Sequence, residues 1–226
     1  EIAGRRIHAR MMQGYGMTEL SPVSHAVPAD RHDMPLSSVG AMLPNQVCKL
    51  VDPDTGEEIT EFDENGETRP GELWVKGPNV MLGYLGQPEA TAETLEDEGF
   101  LHTGDVATYN EGGWFTIVDR VKEIIKYHGY QVAPAELEAL LLSQPKVMDA
   151  AVIGVHDDDG QEIPKAFIVP QPDSGLTADE VMDFVAANAA PYKKVRRVEF
   201  VDAIPKSSSG KILRKDLRAR EAASGV

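Results

Sequence analysis

The stretch DRVKEIIKYHGYQVAPAELE, residues 119–138, decides how the rest of the chain is interpreted. It places the cations Arg120, Lys122 and Lys126 close together, and Gly129 permits a sharp turn after them. A proline then opens an amphipathic helix. Before this stretch the sequence predicts short strands and turns, and after it strands alternate with helices. The stretch is therefore predicted to join two modules, with its cations facing an anion in the cleft between them.

Charge is distributed unevenly along the 226 residues. Residues 1–119 carry 7 basic and 21 acidic side chains, whereas residues 120–226 carry 15 and 16. The acidic excess argues against a nucleic-acid partner for the first part. A basic run over residues 193–220 raises that alternative for the second part, but Glu199 and Asp216 interrupt it and few aromatic residues lie within it. No nucleic-acid partner is expected.

Composition also bears on location. No apolar run approaches the roughly 18 residues that would cross a membrane, and no secretory signal is recognised. Cys48 is the only cysteine, which excludes an internal disulfide and predicts a cytoplasmic protein. The six histidines show no paired metal-ligand spacing, so no structural zinc site is expected. The chain opens at Glu1 without a methionine, which predicts a piece of a longer protein.

Short strands alternate with turn signals over residues 39–118. Predicted strands begin at Val47, Gly71 and Trp114, separated by turns such as DTG, ENG and NEGG. This spacing predicts a small antiparallel barrel or a distorted sheet. A short helix is expected over residues 87–95.

The second part is predicted to be an α+β module of roughly 100 residues. Its predicted strands are Val147–Val155, Ala166–Pro170 and Arg197–Asp202. Its helices are predicted to begin at Pro134, after a capping box at Thr177 to Glu180, and near Leu213.

Two glycine-bearing segments of the first part have the composition of ligand-binding turns. QGYGMTE, residues 13–19, is predicted to be a turn whose backbone approaches a ligand, although a surface turn with Thr18 as its N-cap has the same pattern. HTGD, residues 102–105, is predicted to place Asp105 on a tight turn, either as a turn residue or as a ligand.

The loop PKSSSGK, residues 205–211, is not a Walker A motif. Pro205 stands at the first glycine position, and Ile212 follows the lysine where Ser or Thr binds magnesium. What remains is Lys211 on a glycine-bearing loop. It is predicted either to reach a neighbouring site as a point charge or to face solvent.

Five segments, in this order and spacing, resemble the adenylate-forming superfamily of acyl-CoA synthetases, firefly luciferase and peptide-synthetase adenylation domains. They are QGYGMTE (13–19), GELWVKGPNVMLGY (71–84), HTGD (102–105), DRVKEIIKYHGYQVAPAELE (119–138) and PKSSSGKILRK (205–215). GMTELSPV and YQVAPAELEALL are most similar to the 4-coumarate-CoA ligase branch.

The resemblance implies a division into domains. Residues 1–118 would end a large AMP-binding domain, and residues 119–226 would form a mobile small domain that pivots at Asp119. The triphosphate loop of the family would lie upstream of this sequence, so the chain is expected to be inactive alone.

The resemblance also implies roles for individual residues. Gln13, Gly14 and Thr18 would line the adenine and phosphate side of an AMP or ATP site. Asp105 would bind the ribose hydroxyls, for which the paired acceptors of a carboxylate are suited. Arg120 would reach the same ribose.

Further roles follow for the segment around residue 20. Glu19, with Thr18, would hold Mg²⁺, a cation that favours carboxylate oxygen. Met17, Pro22 and Val23 would form part of the acyl pocket, with ordinary packing as the alternative.

The lysines would serve two successive steps. Lys211 would neutralise charge during adenylate formation, and Lys126 would act when CoA attacks the acyl-adenylate, with Lys122 nearby. His128 and Gly129 would contact CoA, although plant ligases and luciferase commonly carry a lysine where His128 stands. Lys211 also resembles a site that a protein lysine acetyltransferase modifies.

These features predict an acyl- or aryl-CoA ligase that joins a carboxylic acid to CoA with ATP and Mg²⁺. A luciferase-like oxygenase and an inactive nucleotide- or CoA-binding fragment are the alternatives.

Overall fold

The computed structural model describes residues 11–208 and 210–224. The chain divides into two compact units, with the boundary between Val121 and Lys122. The predicted domains include residues 1–10 and the last two residues, and the motif at residues 205–215 includes Ser209. All of these lie outside the described residues. Among the described residues, none of the helices has the length and apolar character needed to span a membrane.

The first unit is built almost entirely of antiparallel strands. Its elements are β1 (Gly14–Gly16), β2 (Val23–Ala26), β3 (Ala41–Met42), β4 (Val47–Val51), β5 (Gly71–Lys76), α1 (Pro88–Thr94), β6 (Leu101–Asn110) and β7 (Trp114–Arg120). β1, β2 and β3 form one sheet, and β4 to β7 form a second in sequential order. Leu73, Val75, Leu101 and Phe115 are buried in the core of this unit.

The strand spacing predicts a barrel or a distorted sheet, and the barrel is wrong. A barrel closes only when its first and last strands pair, but within the described residues β4 and β7 stay at opposite edges of their sheet. The outer edge of β7 instead meets Gly40, whose carbonyl accepts a hydrogen bond from the Phe115 amide at 2.9 Å. The unit therefore contains two open sheets.

The prediction of a tight turn at HTGD is also wrong. Residues 102–105 lie inside β6, which pairs with β5 on one side and β7 on the other. The pairing with β5 shifts register between Glu72 and Trp74, opposite Gly104, whose φ is +70°. Glycine supplies this left-handed conformation without steric cost. Gly104 therefore produces a bulge. It does not produce a turn, because pairing with β5 and β7 keeps the chain extended.

QGYGMTE does not form a single turn. Its glycines lie at the two ends of β1, and Thr18–Leu20 follows as a short 3₁₀ turn. A Cβ on Gly16 would lie 1.9 Å from the carbonyl oxygen of Pro22. Gly16 is therefore required by the close approach of β1 to β2. Thr18 is not the N-cap either, since Met17 holds that position without a side-chain capping bond.

The second unit combines a hairpin, a mixed sheet and helices. Its elements are β8 (Ile125–Tyr127), β9 (Tyr130–Val132), α2 (Pro134–Leu142), β10 (Val147–His156), β11 (Glu162–Pro170), α3 (Ala178–Asn188), β12 (Arg197–Phe200) and α4 (Arg214–Ser224). β10 runs antiparallel to β11, and β11 runs parallel to β12. The predicted strands and helices of this part are confirmed, including the capping box between Thr177 and Glu180.

The sheet β10–β11–β12 is covered on both faces. Ala150 and Val152 point into a cluster with Leu137 of α2 and Val181 of α3. Ala151, Ile153 and Val155, which alternate with them along β10, point into a second cluster that includes Leu217 of α4. Burial on both faces explains why β10 has a nearly continuous apolar sequence rather than an alternating one.

The outer edge of β10 is closed by an ion pair. The Glu138 carboxylate accepts a hydrogen bond from the Val152 amide at 2.9 Å and pairs with the Arg214 guanidinium at 2.7 Å. Arg214 also donates to the Val152 carbonyl at 3.3 Å. Exposed edges are otherwise open to pairing with other strands. The pair thus supplies hydrogen-bond partners for the outward backbone amide and carbonyl of Val152, and it ties α2 to α4.

We expect Glu138→Ala to lower the free energy of unfolding by about 3 kcal/mol, because it leaves the Arg214 charge and the Val152 amide without this partner. Guanidinium denaturation of the chain measures the change. Glu136→Ala is the matched control, since Glu136 is an exposed neighbour on α2 that pairs with Lys193. Its cost should be about 1 kcal/mol or less. Equal effects of the two substitutions would contradict the role of Glu138.

The first unit also buries a polar group, the imidazole of His25. His25 on β2 is fully buried, its Nδ1 lies 2.8 Å from the Ser24 hydroxyl, and its ring packs edge-on against Phe115 at 4.7 Å. Burial lowers the pKa of His25 from 6.5 to about 4. The folded protein therefore holds this imidazole neutral at pH 7.

The lowered pKa makes stability depend on pH. Between about pH 4 and 6.5 the unfolded chain binds a proton that folded His25 does not, so acid favours unfolding and stability rises with pH. The total change should be on the order of 3 kcal/mol. Unfolding free energies measured across this window should show a shallower slope for His25→Gln, whereas exposed His32→Gln should keep the slope of the parent. If the dependence of unfolding free energy on pH were unchanged in His25→Gln, buried His25 would not be its source.

Candidate functional site

Asp105 on β6 forms the centre of a polar cluster in the first unit. The Tyr15 hydroxyl of β1 donates to Asp105 Oδ2 at 2.6 Å. Arg120 Nε, at the end of β7, lies 3.5 Å from Asp105 Oδ1. The Arg120 side chain is 68% exposed, whereas that of Asp105 is 17% exposed. The cluster therefore presents an anchored carboxylate beside a guanidinium that solvent and ligands can reach.

The bulge in β6 is held by two side chains, Glu72 of the neighbouring β5 and Thr103 of β6 itself. The Gly104 amide donates to Glu72 Oε1 at 3.0 Å, and the Asp105 amide donates to the Thr103 hydroxyl at 3.1 Å. The Thr103 hydroxyl in turn donates to the Leu73 carbonyl at 2.6 Å. Bulges redirect the side chains that follow them. Asp105 is thus aimed by a strand irregularity and not by a turn.

Tyr15 is a member of this cluster that sequence analysis missed. Burial raises the pKa of Tyr15 well above its usual value, and the hydrogen bond to Asp105 adds to the effect. The phenol therefore stays protonated and donates at any physiological pH. The only sequence signal was an aromatic residue between the two glycines of QGYG.

Glu19 lies in the 3₁₀ turn after β1. The Tyr84 hydroxyl donates to Glu19 Oε1 at 2.8 Å, and the Met81 amide donates to the Glu19 carbonyl at 2.9 Å. The hydrogen bond to Glu19, with burial, raises the pKa of Tyr84. Tyr84 was missed as a partner, although it ends the motif GELWVKGPNVMLGY. These bonds hold a half-exposed carboxylate beside the exposed Thr18.

The oxygen ligands at this position suit Mg²⁺. No cluster of three metal-binding side chains occurs in the part of the chain that the structure describes. Mg²⁺ does not require one, because it usually takes one or two carboxylates and completes its shell with water and substrate phosphates. The Glu19 carboxylate and the Thr18 hydroxyl fit such a site.

The remaining predicted residues of the first unit are spread along β1 and β2. Gln13 is exposed, and its side-chain amide donates to the Leu36 carbonyl. Gly14 pairs with Ala26 across the sheet. Met17 packs against the core of the unit, as in the alternative of ordinary packing. The other two predicted acyl-pocket residues, Pro22 and Val23, are exposed.

Asp119 lies near the end of β7, two residues before the boundary between the units. It is only 8% exposed, and its carboxylate accepts a hydrogen bond from the Arg120 amide at 2.8 Å. The chain is therefore held at Asp119 and leaves the strand directly after Arg120. Rotation at this residue remains a prediction.

In the second unit, the middle of the stretch 119–138 forms a short hairpin of β8 and β9. Lys122 is exposed in the 3₁₀ turn that precedes β8, and Lys126 is exposed in the middle of β8. His128 and Gly129 form the two-residue loop, with φ values of +48° and +82°. Positive φ at both positions is typical of a type I′ turn. The hairpin brings Lys126 and the predicted CoA contacts onto one small element, and Lys122 lies just before it.

Lys211 lies on a separate loop that is closed by backbone bonds. The Ser207 amide donates to the Lys211 carbonyl at 2.8 Å, and the Lys211 amide donates to the Ser207 hydroxyl at 3.1 Å. Gly210 supplies a φ of +82° within the loop. The Lys211 side chain is exposed, as both interpretations of the sequence require.

The helix after this loop, α4, is held by ion pairs. Lys165 of β11 lies 2.8 Å from Glu199 Oε2 and also pairs with Glu221 of α4. Arg220 lies 2.8 Å from Glu199 Oε1, and Arg218 pairs with Glu123. Cations of the basic run thus meet carboxylates of the same unit. The second half of α4 is thereby tied to the sheet, whereas Arg214 at its start, which follows the Lys211 loop, pairs with Glu138 of α2.

Comparison with known proteins finds one family match in each unit. Residues 1–85 match the AMP-binding enzyme family model, and residues 136–211 match the AMP-binding enzyme C-terminal domain. 4-Coumarate–CoA ligase 1 of Solanum tuberosum is 48% identical over 219 residues, which are 96% of this chain and 39% of the relative. The chain thus spans about two fifths of the length of the curated relatives it matches.

Solved structures agree with this assignment. The ATP-bound structure of MatB from Rhodopseudomonas palustris has a TM-score of 0.84 at 31% identity, covering 96% of this chain and 42% of that chain. The AMP complex of O-succinylbenzoate coenzyme A synthetase from Bacillus subtilis has a TM-score of 0.79 at 30% identity, with coverage of 96% and 42%. With both AMP-binding enzyme models matched in order and 4-coumarate–CoA ligases aligned along nearly its whole length, the chain belongs to the AMP-binding enzyme family.

Proposed function

We propose that this chain supplies the ribose-binding and lysine-bearing part of a ligase that joins a carboxylic acid to CoA at the expense of ATP. The observation that carries the proposal is the pair of exposed lysines on separate elements of one unit, Lys126 on strand β8 and Lys211 on the loop before α4. Each lies in a motif of the family to which the chain belongs. A 4-coumarate-like or fatty acid is the proposed substrate class.

The nucleotide would bind at the Asp105 cluster. A vicinal diol offers two hydroxyl donors, and a carboxylate offers paired acceptors at the matching spacing. Arg120 would add donors from its exposed guanidinium. Gln13, Gly14 and Thr18 would line the adenine and phosphate side.

Mg²⁺ would be held by Glu19 with Thr18. The ion would supply positive charge that offsets the charge of the nucleotide phosphates. Tyr84 would orient the Glu19 carboxylate through its hydrogen bond. Met17, Pro22 and Val23 would contribute to the acyl pocket.

In the first step, an oxygen of the substrate carboxylate attacks the α-phosphorus of ATP. The bond from that phosphorus to the bridging oxygen breaks, and pyrophosphate leaves with the electron pair. Lys211 would lie against the phosphoryl and carboxylate oxygens, where negative charge is concentrated. A preorganised cation at such a position lowers the barrier because it needs no reorganisation as the charge develops.

In the second step, the sulfur of CoA loses its proton to water and attacks the acyl carbonyl, and AMP leaves as the carbon–oxygen bond breaks. Lys126 would stabilise the negative charge on the departing phosphate, with Lys122 beside the adenylate. His128 and Gly129 would contact CoA, and the imidazole would attract its phosphates less strongly at neutral pH than a lysine would.

One nucleotide site would serve both steps if the small unit rotates about Asp119. Rotation would withdraw Lys211 and present the β8–β9 hairpin, so each transition state would meet its own lysine. The limits of the two domains would be residues 1–118 and 119–226. A cytoplasmic location agrees with the single cysteine. The exposure of Lys211 would let a lysine acetyltransferase remove its charge and stop the first step.

We expect Lys211→Ala in the complete ligase to slow ATP–pyrophosphate exchange by about 100- to 1000-fold while sparing thioester formation from supplied acyl-adenylate. Lys126→Ala should spare exchange and slow thioester formation by a similar factor. Lys215→Ala, a substitution of an exposed lysine near the same loop, is the control and should change neither assay. Equal losses in both assays for both variants would show that the lysines do not divide the work.

We expect Asp105→Asn to weaken AMP binding by about 10- to 100-fold, because hydrogen bonds to a charged acceptor contribute about 1.5–3 kcal/mol each. Calorimetric titration of the complete ligase with AMP measures the loss. Asp33→Asn is the control, since Asp33 is an exposed carboxylate of the same unit that pairs with Arg31. Unchanged AMP affinity in Asp105→Asn would exclude Asp105 as the ribose ligand.

A further inference from the structure

Lys126 is held through its backbone by two neighbouring side chains. Its amide donates to Glu162 Oε2 at 2.8 Å, and its carbonyl accepts from Gln161 Nε2 at 2.9 Å. Glu162 begins β11 and Gln161 precedes it, so both contacts come from the turn between β10 and β11. The outer edge of β8 is therefore occupied at Lys126 by this turn.

The position of the Glu162 carboxylate depends on Gly154. A Cβ on Gly154 would lie 2.1 Å from Glu162 Oε1 and 2.8 Å from its Cδ. The missing side chain leaves the room through which Glu162 crosses β10 to reach β8. Because the φ of Gly154 is not in the left-handed region, space and not backbone conformation is the reason for glycine here.

The turn that carries these side chains is itself well ordered by hydrogen bonds. Asp157 Oδ1 accepts from the amides of Asp159 at 3.1 Å and Gln161 at 2.9 Å. The Asp157 amide donates to the Gln161 carbonyl at 3.0 Å, and the Gly160 amide donates to the Asp157 carbonyl at 3.0 Å. Gln161 and Glu162 are thus presented from a fixed turn and not from a loose loop.

The hairpin needs such support. β8 and β9 have three residues each and pair only with one another in the described residues, and an isolated two-stranded hairpin is marginally stable. Ile125 anchors one end of β8 in the core, and the Arg196 guanidinium lies 3.8 Å from the ring centroid of Tyr127 at the other. Between them, Lys126 directs an exposed side chain outward, so its backbone contacts determine where the ammonium group emerges.

From this geometry we propose that Glu162 and Gln161 are positioning residues for Lys126, and that Gly154 is required to admit Glu162. The proposal rests on the proposed role of Lys126 in thioester formation. A displacement of about 1 Å at a catalytic group costs on the order of 100-fold in rate. Loss of the Glu162 contact is therefore expected to affect the CoA step selectively.

The test uses the complete ligase and measures both half-reactions separately. Glu162→Ala should slow thioester formation from supplied acyl-adenylate by about 10- to 100-fold and leave ATP–pyrophosphate exchange within about 2-fold of the parent. Glu162→Gln should recover most of the rate, because its amide oxygen still accepts from the Lys126 amide. Asp158→Ala, at an exposed carboxylate of the same turn, is the control and should change neither rate.

A second variant approaches the same contact from the other side. Gly154→Ala should reproduce the selective loss of Glu162→Ala, since its methyl group would occupy the place of the carboxylate. Gln161→Ala should slow the same step by a smaller factor than Glu162→Ala, because the hydrogen bond from the Lys126 backbone amide to Glu162 remains. Combining Glu162→Ala with Lys126→Ala should cost no more than Lys126→Ala alone, as expected when one residue acts through another.

Hydrogen exchange at the Lys126 amide separates failure of this proposal from failure of the proposed function. Exchange should accelerate in Glu162→Ala and stay at the parent rate in Glu162→Gln. Faster exchange with unchanged thioester formation, in a ligase where Lys126→Ala does slow that step, would overturn the positioning role alone. Equal loss of both half-reactions in Glu162→Ala would also overturn it. Unimpaired thioester formation in Lys126→Ala would instead refute the role of Lys126.

Discussion

The candidate site of the first unit depends on the bulge that Gly104 introduces into β6. Asp105 follows it immediately, and its carboxylate accepts the Tyr15 hydroxyl while it lies beside Arg120. A regular strand would alternate its side chains without interruption. The hydrogen bond from the Gly104 amide to Glu72 holds the irregularity in place. One local departure from strand geometry therefore brings residues of β1 and β7 to a single carboxylate on β6.

The second unit repeatedly uses carboxylates to satisfy backbone groups at strand edges. Glu138 accepts the outward amide of Val152 on β10, and Glu162 accepts the amide of Lys126 on β8. In each case a second side chain, Arg214 or Gln161, donates to a carbonyl of the same strand residue. Edge strands must be covered or paired to avoid association with other strands. Here the same contacts also fix the backbone beside Lys126 and the start of α4.

How far the sequence could predict this structure differed between the two units. In the second unit, long apolar strands and the capping box at Thr177 carry strong local signals, and the elements form where expected. In the first, the turn predicted at HTGD is a bulged strand, because pairing with β5 and β7 outweighs the local preference of Gly104. The expected barrel failed for a related reason, since spacing along the chain does not specify which edges pair.

The sequence by itself determined the family, the order of its motifs and which lysines are predicted to act on ligands, because motif residues and their spacing are properties of the chain alone. Only the tertiary structure decided that Tyr15 holds Asp105, that Tyr84 holds Glu19 and that Glu162 holds the backbone of Lys126. These partners lie 90, 65 and 36 residues apart. Contacts at such separations arise from strand register and packing, which no local sequence pattern encodes.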